Sequence, residues 1–309
     1  MIISTIASHS SLQIILGAKR EGFKTRLYAS PKRKNFYASL PVVDELIVAD
    51  DMNEILSDEG IIIPHGSFVA YLGLDAIEKS EARFFGNKRF LKWETKFELV
   101  DKALEKAGIP QVESIDLSEV RDDELYFVRI EGPKGGSGHF IAYGRELEDK
   151  LKSVSEPYRI ERFIDGVYIY VHFFYSPILN RLELFGVDER LVIADSNKRR
   201  PFKVLPYTIV GNKAVALRES LLPRLYDYGL AFVKAMGKLE PPFIGPFALH
   251  FAYDGDFHCI GFASRIDGGS NAKHWYSALY WGEEMLMGER IAREIKLALQ
   301  EERLEEVVI

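Results

Sequence analysis

Two cations, four glycines and a hydroxyl crowd one short stretch of this chain, Arg129-Ile130-Glu131-Gly132-Pro133-Lys134-Gly135-Gly136-Ser137-Gly138. Two β-forming runs flank it, Leu125-Tyr126-Phe127-Val128 before and Phe140-Ile141-Ala142-Tyr143 after. Glycines let backbone N–H groups approach an anion closely, and successive amides make an anion-binding concavity. The chemistry within reach is therefore the covering of phosphates, with Arg129, Lys134, Gly135, Gly136, Ser137 and Gly138 as contacts. The spacing is neither that of a Walker loop nor G-x-G-x-x-G. Read alone, an ordinary glycine-rich turn explains it equally well.

Three other groups could carry chemistry. Ser8-His9-Ser10-Ser11 follows an apolar β run and opens a helical pattern, and His65-Gly66-Ser67 follows Ile61-Ile62-Ile63-Pro64 in the same way. Helix N-termini with hydroxyl caps attract anions. Ligands in open α/β sheets bind at the carboxyl ends of strands. His9, Ser10, His65, Gly66 and Ser67 would then share one rim, although a cap or turn role remains the alternative for each histidine. In Tyr158-Arg159-Ile160-Glu161-Arg162-Phe163-Ile164-Asp165-Gly166, a strand ends in mixed polar and apolar residues. Backbone groups of Glu161, Arg162, Phe163 and Ile164 could meet an adenine edge there, or the segment is a plain strand and turn.

The elements needed to position these groups follow from periodicity. Residues 2–7, 24–29, 45–49 and 60–64 are β-like and residues 11–21 are helical, an alternation that predicts a parallel sheet covered by helices. Residues 87–108 read as one long helix, stopped by Gly108-Ile109-Pro110. Strands are expected over 182–188 and 204–210 and a helix over 218–238. A hairpin is expected where Asp254-Gly255-Asp256 separates 247–253 from 257–263. Residues 283–306 form an amphipathic pattern whose charges read as a solvated face.

Bulk properties narrow the class. The 309 residues suggest two domains, and 47% hydrophobic with 28% charged content is that of a folded protein. A net charge of −6 argues against coating nucleic acid. The lone Cys259 excludes an internal disulfide and reads as a small buried hydrophobe. No signal-like or membrane-length apolar run is present, so a cytoplasmic protein without membrane association is expected.

Taken in order, these pieces resemble an ATP-grasp protein, and more narrowly the archaeal formate-dependent 5-formaminoimidazole-4-carboxamide ribonucleotide synthetases. Matching stretches run nearly end to end. They include Ala7-Ser8-His9-Ser10-Ser11-Leu12-Gln13-Ile14, Ile63-Pro64-His65-Gly66-Ser67-Phe68, Phe85-Gly86-Asn87-Lys88, Lys92-Trp93-Glu94 and the glycine stretch. Later ones are His172-Phe173-Phe174-Tyr175-Ser176-Pro177-Ile178, Ile244-Gly245-Pro246-Phe247 and Met287-Gly288-Glu289-Arg290-Ile291-Ala292-Arg293-Glu294. The resemblance implies an α/β fold, α+β in its C-terminal part. A parallel-sheet pre-ATP-grasp domain over 1–82 would precede an ATP-grasp domain over 83–309, divided into a glycine-loop part (about 112–165) and a C-terminal part (about 166–309). It implies a ligase of purine (IMP) biosynthesis that joins formate to aminoimidazole carboxamide ribonucleotide through formyl phosphate. ATP would lie on the glycine stretch and on Glu161–Ile164, with magnesium, and the ribonucleotide on the His9 and His65 loops. Homo-oligomerisation is left open, and no catalytic residue is assigned.

The chain departs from the family where metal is bound. Two carboxylates fall at His250 and Gly261, and neither replacement is an oxygen donor of the kind magnesium takes. Asp267 is the conceivable substitute, while Asp254 and Asp256 read as turn residues. Arg129 stands where a strand lysine is usual, and Ser137 where the family has a loop arginine. Two readings therefore stand: an active ligase holding magnesium differently, and a nucleotide-binding paralogue without turnover that serves as a regulator or partner subunit. A ligase with a different acyl acceptor is a third.

Overall fold

The structure, a computed structural model, describes residues 1–132, 138–192, 204–206 and 208–309. Lys134, Gly135, Gly136 and Ser137 lie outside the described residues.

The N-terminal strands β1 (Ile2–Ile6), β2 (Lys24–Ala29), β3 (Glu45–Val48) and β4 (Ile61–Ile62) form a parallel sheet in the order β3-β2-β1-β4. Strand β1 is central and is buried from Ile3 to Ile6, as a sheet covered on both faces demands. The helix Ser11–Arg20 buries Ile14, Ile15 and Ala18, the periodic apolar positions, which turns its N-terminus towards the carboxyl end of β1.

Two antiparallel sheets follow. One contains β5 (Ser114–Ile115), β6 (Leu125–Ile130), β7 (Phe140–Tyr143), β8 (Tyr158–Arg162) and β11 (Val204–Pro206), in the order β11-β7-β6-β8-β5. The other contains β9 (Val167–Ser176), β10 (Arg181–Val192), β12 (Ile209–Ala214), β13 (Gly245–Tyr253) and β14 (Phe257–Ala263), in the order β12-β10-β9-β13-β14. The helix Leu222–Leu239 fills the second sheet's face with an aromatic stack in which Phe232 lies against Phe247 and Phe247 against Phe173. Asp254 caps the predicted hairpin by accepting from Asp256 N.

Three expectations are corrected. The helix over 87–108 is broken: a 3-10 turn (Lys88–Glu94) ends where Thr95 Oγ1 donates to Lys92 O, and Lys96 is extended at φ −128°, ψ 136°. Helix resumes at Phe97, whose N–H donates to Glu131 Oε1 at 2.8 Å. The single strand over 204–210 is two strands in different sheets, β11 beside β7 and β12 beside β10. The charges of the C-terminal helix Met287–Gln300 are not a solvated face, for Glu289, Arg290 and Glu294 are buried. That helix crosses Ser11–Arg20 so closely that a Cβ on Gly17 would lie 2.2 Å from Glu289 N, and one on Gly288 2.2 Å from Gln13 O. Among the described residues, no helix is long and apolar enough to cross a membrane.

Candidate functional site

The residues singled out on the β1 and β4 loops do come together. His9 and His65 stack with ring centroids 5.6 Å apart, Ser8 Oγ and Ser67 Oγ are 3.1 Å apart, and His9 Nδ1 pairs with Ser10 Oγ at 2.8 Å. His9 sits at φ 48°, a left-handed conformation that a non-glycine residue adopts only where its surroundings impose it. Ser10 is the N-cap residue of its helix but does not cap it; its hydroxyl also reaches Asp267 O. His65 is scaffold. Its Nε2–H donates to Ile6 O at 2.8 Å and its Nδ1 accepts from Ser67 N at 3.2 Å. Burial, then the neighbouring His9, holds its pKa well below the usual value, so the ring is neutral. His9 is lowered to about 4, by desolvation foremost and then by Arg265, although the residue as a whole is exposed.

Sequence reasoning missed the group that completes this rim. Arg265 follows β14, and its Cζ lies 3.0 Å from where a Cβ on Gly66 would stand, beside His9 Nε2 at 2.6 Å from the same point. Arg265 Nε donates to Glu94 Oε1 at 3.0 Å and Nη1 to Asp267 Oδ1 at 3.1 Å. Burial raises the Glu94 pKa against the pull of Arg265. In Lys92-Trp93-Glu94 only Glu94 serves this rim, because Lys92 and Trp93 both bind Glu240. The available signal was Ser264-Arg265-Ile266-Asp267 directly after a strand and before Gly268-Gly269, charges placed where an α/β fold puts ligands.

On the other side, Arg129 and Glu161 face each other across β6 and β8, with Arg129 Nη1 3.6 Å from Glu161 Oε1. Burial raises the Glu161 pKa, opposed by Arg129. Arg162 points the opposite way, into exposed ion pairs with Glu113 and Glu124, as alternation along a strand requires. Beyond β8, Phe163 N donates to Leu125 O and Ile164 O accepts from Tyr168 Oη. Gly138, at φ 93°, re-enters the described chain beside Ile130.

The two sides join. Arg129 Nη2 lies 3.2 Å from where a Cβ on Gly261 would be. Gly261 pairs with His250 across the β13–β14 hairpin, and His250 Nε2 lies 3.3 Å from Asp267 Oδ2. Asp267 also accepts from Arg190, Arg265 and Gly268 N, and although burial pushes its pKa up, Arg190 foremost holds it well below the carboxylate range. Behind it, Arg190 Nε lies 3.0 Å from Asp188 Oδ2, and Asp188 Oδ1 contacts His172 Nε2 at 2.6 Å.

Magnesium does not fit this donor set. It needs several oxygen ligands in octahedral array, yet Gly261 has no side chain, His250 offers nitrogen and Asp267 is covered by two guanidiniums. Among the described residues no group of three His, Cys, Asp or Glu is placed to hold a metal.

Two family models match the chain, one described as a domain of unknown function (DUF1297) over residues 148–309 and one as a protein of unknown function (DUF1246) over residues 3–115. The 5-formaminoimidazole-4-carboxamide-1-(beta)-D-ribofuranosyl 5'-monophosphate synthetase of Sulfolobus acidocaldarius is 39% identical, with 98% of each chain covered. The crystal structure of an IMP biosynthesis protein PurP from Thermococcus kodakaraensis is 68% identical, with a TM-score of 0.90 over 99% of this chain and 100% of that one. The N5-carboxyaminoimidazole synthetase of Staphylococcus aureus, solved with ADP, has a TM-score of 0.63 at 15% identity, over 93% of this chain and 77% of that one. This last likeness is one of fold: a parallel N-terminal sheet followed by antiparallel sheets in the ATP-grasp arrangement.

Proposed function

The chain belongs to the archaeal 5-formaminoimidazole-4-carboxamide ribonucleotide synthetase family, and from that premise we propose that it is a purine-biosynthesis ligase joining formate to the 5-amino group of aminoimidazole carboxamide ribonucleotide at the expense of ATP. The observation that carries this reading is the chain of contacts that runs from Arg129 through Gly261, His250, Asp267 and Arg265 to His9. It supports neighbouring sites, with a nucleotide on the Arg129 side and a ribonucleotide on the rim that the His9 and His65 loops of 1–82 form with Arg265.

Formate is a poor acyl donor because its carboxylate would have to expel oxide. A formate oxygen attacks the γ-phosphorus of ATP, the bridging P–O bond breaks with its electrons going to ADP, and formyl phosphate results. The amine nitrogen then attacks the formyl carbon, the C–O bond breaks, and phosphate leaves with the proton shed by the amine. Positioning and charge neutralisation do most of such catalysis. Arg129 takes nucleotide phosphates, together with the glycine stretch through Gly138. The backbone at Phe163 and Ile164 borders the base. Arg265, fixed by Glu94 and Asp267, faces the ribonucleotide beside His9 and Gly66. Gly66 and the hydroxyls of Ser10 and Ser67 border the ribonucleotide phosphate. Neutral His9 offers the amine a hydrogen-bond partner without competing charge. We place the enzyme in the cytoplasm.

The reading is tested by supplying 18O-labelled formate, ATP and the ribonucleotide, and following phosphate by mass spectrometry. One 18O per phosphate, with formylated product, is the expected result; unlabelled phosphate would refute the acyl phosphate route. A nucleotide-binding paralogue without turnover is favoured by the missing carboxylates at 250 and 261 alone. Such a protein would bind ADP and release no phosphate in the same assay.

A further inference from the structure

The misfit with magnesium has a counterpart in what the cleft does contain. Arg129 rises from β6, and the bare Cα of Gly261, at φ 144°, lets its guanidinium reach across to β14. A Cβ at 261 would lie 3.2 Å from Nη2 and crowd that guanidinium. Glu161 is 3.6 Å away, an ion-pair distance longer than a hydrogen bond, so the guanidinium is steered without its donors being consumed by that carboxylate. Further along the lining, the only described acid beside His250 is Asp267, and its oxygens already accept from Arg190, Arg265 and Gly268 N. Between the two proposed binding sides, then, a guanidinium stands where a metal-binding site would present carboxylate oxygen.

We propose that this cleft holds a nucleoside polyphosphate through protein cations, Arg129 foremost, so that the nucleotide binds without a divalent metal. This rests on the nucleotide reading above and deepens it. A guanidinium neutralises phosphate by forked, charge-assisted hydrogen bonds and needs no ion between. A metal-free polyphosphate carries more negative charge than its magnesium complex, so a wall of fixed positive charge favours the metal-free form.

The test is isothermal titration calorimetry of the full chain with ADP, once in EDTA and once in excess magnesium chloride. The expected result is an affinity in EDTA equal to or tighter than that in magnesium. Arg129→Gln should weaken binding in EDTA roughly ten-fold or more, the loss of a charge-assisted contact. If melting curves show the Arg129 variant unfolded, the comparison of EDTA with magnesium in the unmodified chain carries the test by itself. ADP binding that is ten-fold or more weaker in EDTA than in magnesium overturns this proposal while leaving the nucleotide reading intact. So does wild-type affinity in Arg129→Gln. No binding in either buffer overturns both.

Discussion

Arg290 carries its guanidinium fully inside the protein, with Nε donating to Glu183 Oε2 at 2.9 Å and Nη2 to Glu183 Oε1 at 3.2 Å. Nη1 goes to Glu294, which also accepts from Ser176 Oγ, and the guanidinium lies 4.0 Å from the ring centre of Phe174. The pair fastens the C-terminal helix to β10 and so holds the interior behind the cleft.

Removing one partner of such a pair strands the other charge, at a cost of about 3–5 kcal/mol. Arg290→Met should therefore lower the urea midpoint sharply, and adding Glu183→Met and Glu294→Met, which removes both buried carboxylates, should recover much of the loss. An unchanged midpoint in the single variant would contradict this account of the helix.

Stability should fall on acidification in two stages. Burial foremost lowers His65 well below its usual value and His274 to about 4. The unfolded chain therefore binds protons the folded one refuses as pH drops from about 6.5 towards 4, and stability is lost across that window. Glu183, which burial pushes up but Arg290 pulls down to a net lowering, adds a loss that begins below about 4.3. Urea midpoints between pH 7.5 and 4 should trace the first stage, and His274→Gln should flatten it.

Gly17→Ala should be strongly destabilising, because the new methyl meets Glu289 backbone 2.2 Å away and neither helix can yield without moving the other. Overpacking of this kind costs about 1–3 kcal/mol or more. Gly237→Ala is the matched control: nothing lies within 4 Å of its added methyl, and alanine in a helix interior gains about 0.5–1 kcal/mol. Calorimetric melting should move the two variants in opposite directions.

Arg265→Gln should separate the two sides of the cleft. Its guanidinium lies beside His9 and Gly66. Ribonucleotide affinity should fall about ten-fold, the value of a charge-assisted contact, with ADP affinity changed less than about two-fold. Equal losses for both ligands would mean that the variant disturbs the cleft as a whole.

Local signals in the chain decided a good deal. The βα alternation of the first eighty residues, the Asp254-Gly255-Asp256 turn and the His9 and His65 loops at strand ends are set by residues near one another in sequence, where period and turn chemistry act. Other features are decided by partners far along the chain. The break at Lys96 exists because Glu131 accepts from Phe97 N. Arg290 is buried because Glu183 lies opposite it, although its own helix reads as charged and exposed. Arg265 became a rim residue only because β14 ends against the β4 loop, where His65 bridges to Ile266. Likewise, a glycine at 261 reads as the loss of a side chain until the guanidinium of Arg129, from another sheet, is found over it. Desolvation and pairing across long sequence separations are properties of the packed chain, and no window of neighbouring residues contains them.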